Sequence, residues 1–296
     1  MRTYPFMQVD AFTATRLAGN ACAILFDADD LDDATMLAIA REMNLAETAF
    51  VVRSRKADFG ARYFTPKTEI PLAGHPTIAT VFALAETGRL RLAGEVTTIT
   101  LELTAGIIEV DLFAPGGTVE RVTMSQLKPQ YLERYTAGEI LPCLGLVESD
   151  LVPGLPLQVV STGTPQLMIP VKDTGCLDRI QPDVVALEAF KAPKGISSVH
   201  IFCVVESAPR VRILARNFDT PPDLIEDPFT GSAMGGMGCY LWHYGVIPEP
   251  VFEAEQGLWL ERPGLAYGEV VGPPDDIATV RIGGPAVTVV EGTITI

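Results

Sequence analysis

The chain has 296 residues, enough for two domains with well-filled cores. At 48% hydrophobic and 20% charged residues it belongs with globular rather than disordered chains. Its 22 Lys and Arg against 37 Asp and Glu give a net charge of -15, which disfavours nucleic acid and anionic membrane surfaces as partners.

Residues 6–12 and 21–26 read as strands about a Gly19-Asn20 turn. Residues 29–43 read as an amphipathic helix, with Met36, Ile39, Ala40 and Met43 on one face. Asp29, Asp30, Asp32 and Asp33 crowd its expected first turn, and Asn44 is its expected C-cap. Residues 48–53 and 59–64 read as strands, and 75–86 as a first central helix that ends before Gly88. Alternating patterns then predict strands at 96–103, 106–113 and 119–125. The stretch 128–154, richer in Pro, Gly and polar residues, is expected to hold the linker. Further strands are expected at 157–162, 167–171, 199–205 and 211–216. A second central helix is predicted from Ser232 to Gly245, and strands at 278–282 and 287–296 close the chain. The class is α+β, with short, mostly meander-like strands and one small-residue helix per half. Three glycines between Ser232 and Tyr240 cost roughly 1 kcal/mol each in a helix, so a close backbone approach is expected there.

The two central helices open on related loops. Shifted by 157 residues, Glu69 meets Glu226, Pro71 meets Pro228, Gly74 meets Gly231, Leu84 meets Leu241 and Gly88 meets Gly245. One register through five identities indicates a duplicated half. Two helix N-termini brought face to face would offer bare N–H groups to a small anion such as a substrate carboxylate, with His75 and Asp227 on either side.

Cys22, Cys143, Cys176, Cys203 and Cys239 are scattered and form no CxxC pair, which fits reduced thiols in a cytoplasmic protein. The N-terminus lacks the apolar stretch of a signal peptide, and no apolar run approaches the roughly 20 residues of a membrane span. With no HxH, HExxH or His/Cys cluster, no metal site is expected. Glu47, the one charge between Glu42 and Arg53, is either a rim residue opening a strand or a desolvated carboxyl, protonated near neutral pH and able to donate and recover a proton. His75 is either a neighbour of a helix cap or a site residue, whereas His200 and His243 read as structural. The segment from Gly231 lacks both GxxxxGK[ST] and GxGxxG spacing, and Ser232 lies in no GxSxG elbow. It reads as a helix N-terminus that holds an anion through N–H groups and the Ser232 hydroxyl.

These pieces resemble the phenazine-biosynthesis F-type (PhzF-like) isomerase family, a branch of the diaminopimelate-epimerase-like superfamily. The resemblance rests on Asp10-Ala11-Phe12, Gly19-Asn20, Asn44-Leu45 with Glu47-Thr48, Phe64-Thr65-Pro66, Glu69, Gly74-His75-Pro76, Glu226-Asp227 with Thr230-Gly231-Ser232-Ala233, and Gln256-Gly257 with Arg262-Pro263. It spans nearly the whole chain and is weakest over about 165–225. The resemblance implies two pseudo-symmetric domains, each a bent sheet around a central helix, with the site between them. The expected division is 1–120 with a final strand at about 285–296, and 121–284. The resemblance further implies a homodimer without cofactor. It makes Glu47 the general acid/base, gives His75, Asp227 and Ser232 catalytic or orienting roles, and places Gly74, Pro76, Thr230 and Gly231 against the substrate. The expected reaction is the isomerisation of a small cyclic or unsaturated amino-carboxylic acid, like that of trans-2,3-dihydro-3-hydroxyanthranilate. Ala46 stands where the family often has Ser, which removes one hydroxyl contact. Two rival readings are an amino-acid epimerase or racemase, which would lack its two loop thiols, and a ligand-binding homologue without turnover.

Overall fold

The computed structural model describes residues 1–206, 211–221 and 224–296. The weakly matching stretch at 165–225 thus includes positions outside the described residues. The chain forms two compact units, Met1–Ser125 with Gly283–Ile296, and Gln126–Ile282. The first contains β1 (Thr3–Ala11), β2 (Asn20–Leu25), α1 (Asp33–Met43), β3 (Glu47–Val52), β4 (Phe59–Phe64), β5 (Glu69–Ile70), α2 (Gly74–Glu86), β6 (Val96–Leu103), β7 (Gly106–Phe113) and β8 (Arg121–Ser125). The second contains β9 (Gln130–Tyr135), α3 (Ala137–Ile140), β10 (Leu157–Ser161), β11 (Pro165–Pro170), α4 (Thr174–Asp178), α5 (Val184–Lys191), β12 (Ser198–Glu206), β13 (Val211–Phe218), β14 (Glu226–Asp227), α6 (Gly231–His243), β15 (Val251–Gln256) and β16 (Gly264–Val271), and leads into β17 (Thr279–Gly284). The last strand, β18 (Ala286–Thr295), pairs antiparallel with β1.

Consecutive antiparallel strands such as β6, β7 and β8 match the mostly meander-like expectation, but each unit also holds parallel pairs that no meander contains. In the first, β2 runs parallel to β3 and β4 parallel to β6. In the second, β11 runs parallel to β12 and β13 parallel to β15. Parallel neighbours require a crossover, and helices supply it. Helix α1 links β2 to β3 and α2 links β4 to β6; α4 and α5 link β11 to β12, and α6 links β13 to β15. The order of connections is the same in both units. The central helices are therefore crossover helices, which explains why apolar residues occupy all their sides. Every residue of α2 from His75 to Leu84 is buried, and in α6 every residue from Ala233 to Leu241 is.

The glycines of α6 answer to its neighbours. A Cβ on Gly235 would stand 1.9 Å from Gln126 Oε1, and one on Gly238 would stand 2.3 Å from the Phe252 ring. Gly236 faces Met168, whose Cε would lie 2.7 Å from an added Cβ. Lost helix propensity is offset by this approach of the strands and of Gln126.

Three local expectations change. Helix α1 starts at Asp33, because Asp32 is its N-cap and accepts from the Thr35 N–H at 2.8 Å. Asp29 instead accepts from the Arg53 N–H, and Asp30 from Arg2 and Tyr4. Asn44 closes the helix in the left-handed conformation at φ 51, as expected. The stretch 128–154 is not a linker: it forms β9 and α3, and its Ile140, Leu141 and Leu144 are buried in the core with Leu167, Leu187 and Val199. Helices α4 and α5, absent from the sequence reading, cover that core and are capped by Asp173 and Asp183.

Candidate functional site

Two sets of polar groups gather where the central helices begin. In the first unit, β3 opens with Glu47, paired across the parallel ladder with Cys22. Helix α2 brings His75 to it, and Glu47 Oε2 lies 3.2 Å from His75 Nε2. His75 is 5% exposed and the Glu47 side chain 18% exposed. On the other side of the ring, Asn20 Nδ2 lies 3.2 Å from His75 Nδ1. Burial pushes the His75 pKa down from 6.5 to about 3, with a partial counter-effect from the Ala21 backbone. The imidazole is therefore neutral at ordinary pH, and Glu47 faces a neutral partner rather than an imidazolium. Asn20 follows Gly19, whose φ of +57 disfavours a side chain and where an added Cβ would stand 2.2 Å from the Ala11 carbonyl oxygen. The Gly19-Asn20 pair, read from sequence as a turn, thus sets the amide that contacts His75.

In the second unit, Asp227 ends β14 and its carboxylate accepts from Thr230 Oγ1 at 2.5 Å. Gln256 is buried and reaches back from β15. Its Nε2 donates to the Asp227 carbonyl at 2.7 Å, and its Oε1 accepts from the Thr230 N–H at 3.3 Å. Gly257 makes this approach possible: its φ is +85, and an added Cβ would stand 2.7 Å from the Pro228 carbonyl. Ser232 is half-buried, and its Oγ accepts from Gln166 Nε2 at 3.0 Å. Gln126 Nε2 donates to the Gly231 carbonyl at 2.9 Å, while its Oε1 accepts from Thr162 at 2.6 Å.

The two helix N-termini share a chemical property. Neither Ala73 before α2 nor Thr230 before α6 makes a side-chain cap bond, and neither first turn holds an acid. Asp32, Asp173 and Asp183 cap α1, α4 and α5. The first-turn N–H groups at Gly74 and His75, and at Gly231 and Ser232, receive no side-chain cap, so they and the positive dipole ends can face an anion. Pro76 has no N–H, so it offers only fixed backbone and apolar surface. Each loop is braced from behind by one clamp. Arg62 grips Glu69 through two bonds of 2.9 and 2.6 Å, and Arg216 grips Glu226 at 2.9 and 2.7 Å. Each guanidinium also lies over the Phe two residues on, Phe64 or Phe218. The duplication therefore includes Ala-Arg-x-Phe at 61–64 and 215–218, a repeat hidden from a fixed register by the longer loop after β13.

The sequence singled out Glu47, His75, Asp227, Thr230, Gly231 and Ser232. The structure brings Glu47 to His75, and Asp227 to Thr230. Asn20, Gln126, Gln166 and Gln256 were not assigned a role, although Gly19-Asn20 and Gln256-Gly257 stood out as motifs. Among the described residues no group of three His, Cys, Asp or Glu is placed to hold a metal ion. No helix among them is long and apolar enough to cross a membrane.

The fold belongs to the epimerase-like class. A hydroxyproline epimerase from Agrobacterium vitis shares the fold, with a TM-score of 0.69 at 14% identity, covering 99% of this chain and 92% of that one. The PhzF-family phenazine biosynthesis protein of Bacillus anthracis superposes with a TM-score of 0.88 at 31% identity over the whole of both chains. The profile of the phenazine biosynthesis-like protein family, PhzC-PhzF, matches residues 9–292. The chain belongs to this family and is an isomerase. It is 34% identical to the trans-2,3-dihydro-3-hydroxyanthranilate isomerase of Pseudomonas fluorescens, covering 98% of each chain. It is 35% identical to the Escherichia coli K12 protein named uncharacterized isomerase YddE, covering 94% of each.

Proposed function

We propose that this isomerase moves a proton within a small cyclic, unsaturated amino-carboxylic acid, as in the conversion of trans-2,3-dihydro-3-hydroxyanthranilate. The observation that carries the reading is the contact between Glu47 and a buried, neutral His75. A neutral imidazole neither supplies a net proton nor holds the carboxyl ionised as a cation would, so the mobile proton belongs to Glu47. The Glu47 carboxyl donates its proton to one ring carbon and recovers one from another, so the ring's atoms balance and only a double bond moves. His75, fixed by Asn20, and Asp227, fixed by Thr230 and Gln256, orient the substrate's polar groups. Each uncapped helix end suits a substrate's anionic group: in the second unit Gly231 supplies an N–H, Ser232 a hydroxyl and Thr230 a wall, and in the first Gly74 supplies an N–H and Pro76 a wall. On this reading the enzyme needs no cofactor, and it works as a cytoplasmic homodimer. The named relatives of similar length support the substrate class.

A two-thiol racemase is a poorer fit. Cys22 stands beside Glu47, but it is fully buried, and burial together with Glu47 pushes its thiol well above the usual range. Neither loop holds a cysteine. The direct test incubates the purified protein with trans-2,3-dihydro-3-hydroxyanthranilate and follows absorbance and mass. Conversion at constant mass is expected; a folded protein that leaves the compound unchanged would remove this substrate.

A further inference from the structure

Gln166 is an amide in an otherwise apolar strand. It sits in β11 between two neighbours, opposite Val160 on β10 and Ser198 on β12, so its backbone is fixed from both sides. It is 2% exposed. Its Nε2 donates to Ser232 Oγ at 3.0 Å, while its Oε1 is buried without a hydrogen-bond partner. An unpaired buried carbonyl is unfavourable, and an apolar residue of that size would avoid it. What the amide adds at this position is its N–H.

That N–H settles the state of Ser232. A hydroxyl can donate or accept, but an amide nitrogen only donates. Ser232 Oγ therefore accepts from Gln166 and keeps its single hydrogen. Among the described residues no group accepts that hydrogen. It lies in the first turn of α6, where no side chain caps the helix and no acidic residue stands. The serine is thus held as a donor beside bare N–H groups.

We propose that Gln166 is a positioning residue that fixes Ser232 as a hydrogen donor to the substrate's carboxylate. The inference rests on the reading of a carboxylate substrate given above. Replacing Gln166 by Leu frees Ser232 to turn its hydrogen elsewhere. Replacing it by Glu reverses the bond, because the carboxylate accepts from Ser232 and brings negative charge to the anion site.

The test is a double-mutant cycle read by calorimetric binding of anthranilate, an aromatic amino-carboxylate that has no ring hydrogen to shift. Gln166→Leu is expected to weaken binding about tenfold, and Gln166→Glu about a hundredfold. Ser232→Ala is expected to weaken binding by about as much as Gln166→Leu, and Gln166→Leu added to Ser232→Ala by less than about twofold more. Gln166→Leu is also expected to melt no lower than the parent, since it removes an unpaired carbonyl. An equal loss from Gln166→Leu with and without Ser232 would make the residue merely structural and overturn the inference. So would a folded parent that binds no anthranilate. A parent that binds anthranilate and shows the cycle, yet converts no dihydrohydroxyanthranilate, would overturn the proposed reaction and leave this inference standing.

Discussion

His75 is flanked by Glu47 at Nε2 and Asn20 at Nδ1, and the Ala21 backbone also bonds the ring. A neutral imidazole has two tautomers, and the partner of Nδ1 decides which way Nε2 faces Glu47. Asn20→Ala removes that control while leaving the acid in place. Turnover is expected to fall about a hundredfold with the circular dichroism spectrum unchanged; an unaltered rate would show that Asn20 does not position the ring. Glu47 and His75 stand out locally, one as a lone charge before an apolar strand and the other as the residue after a helix-opening glycine, but each kept a structural alternative there, and their proposed roles come from the family resemblance. The amides were not legible. Asn20, Gln126, Gln166 and Gln256 act on partners 26 to 105 residues away; Asn20 and Gln256 lie in recognisable motifs that do not show what their amides contact, and Gln126 and Gln166 lie in none.

At the scale of elements, α2 and α6 were visible from their small-residue composition and their duplicated loops. Their setting was not, since parallel pairing joins strands whose register depends on distant segments. Helices α4 and α5 leave no periodic trace in the sequence, because they span only five and eight residues. The glycines of α6 now have named causes, and Gly235 gives a test. Gly235→Ala places a methyl against Gln126 and is expected to cost about 1–3 kcal/mol in urea unfolding, despite alanine's better helix propensity. In a Gln126→Ala background the same change is expected to be neutral or stabilising. A penalty of equal size in both backgrounds would show that the Gln126 contact is not what excludes a side chain.

The whole molecule carries two buried histidines, and they make its stability depend on pH. Burial lowers the pKa of His75 to about 3 and that of His200 to about 4, from 6.5. Both are neutral when folded and protonate near 6.5 when unfolded, so below that pH the unfolded chain binds more protons. Their contribution is complete above pH 6.5 and is lost as pH falls towards 4 and then 3. Carboxylates with lowered values, such as Glu69 and Asp58, add their own loss only from below 4.5 and 3.8. Between pH 6.5 and 4.5 the slope therefore belongs to the histidines. His200→Gln is expected to halve that slope roughly, as measured by urea unfolding across this range. Stability that stays flat from pH 7 to 4.5 would contradict the burial of these rings as neutral bases. At this scale the α+β class and the family were legible, because the motifs run along nearly the whole chain.

The central claim is that Glu47 carries the proton, and solvent deuterium tests it most directly. The parent and Glu47→Gln are each incubated with trans-2,3-dihydro-3-hydroxyanthranilate in deuterated water, and the product is analysed by mass and NMR. The parent is expected to give product with solvent deuterium at a ring carbon, and Glu47→Gln to give none while still binding anthranilate. Near-normal conversion by Glu47→Gln would take Glu47 out of the mechanism.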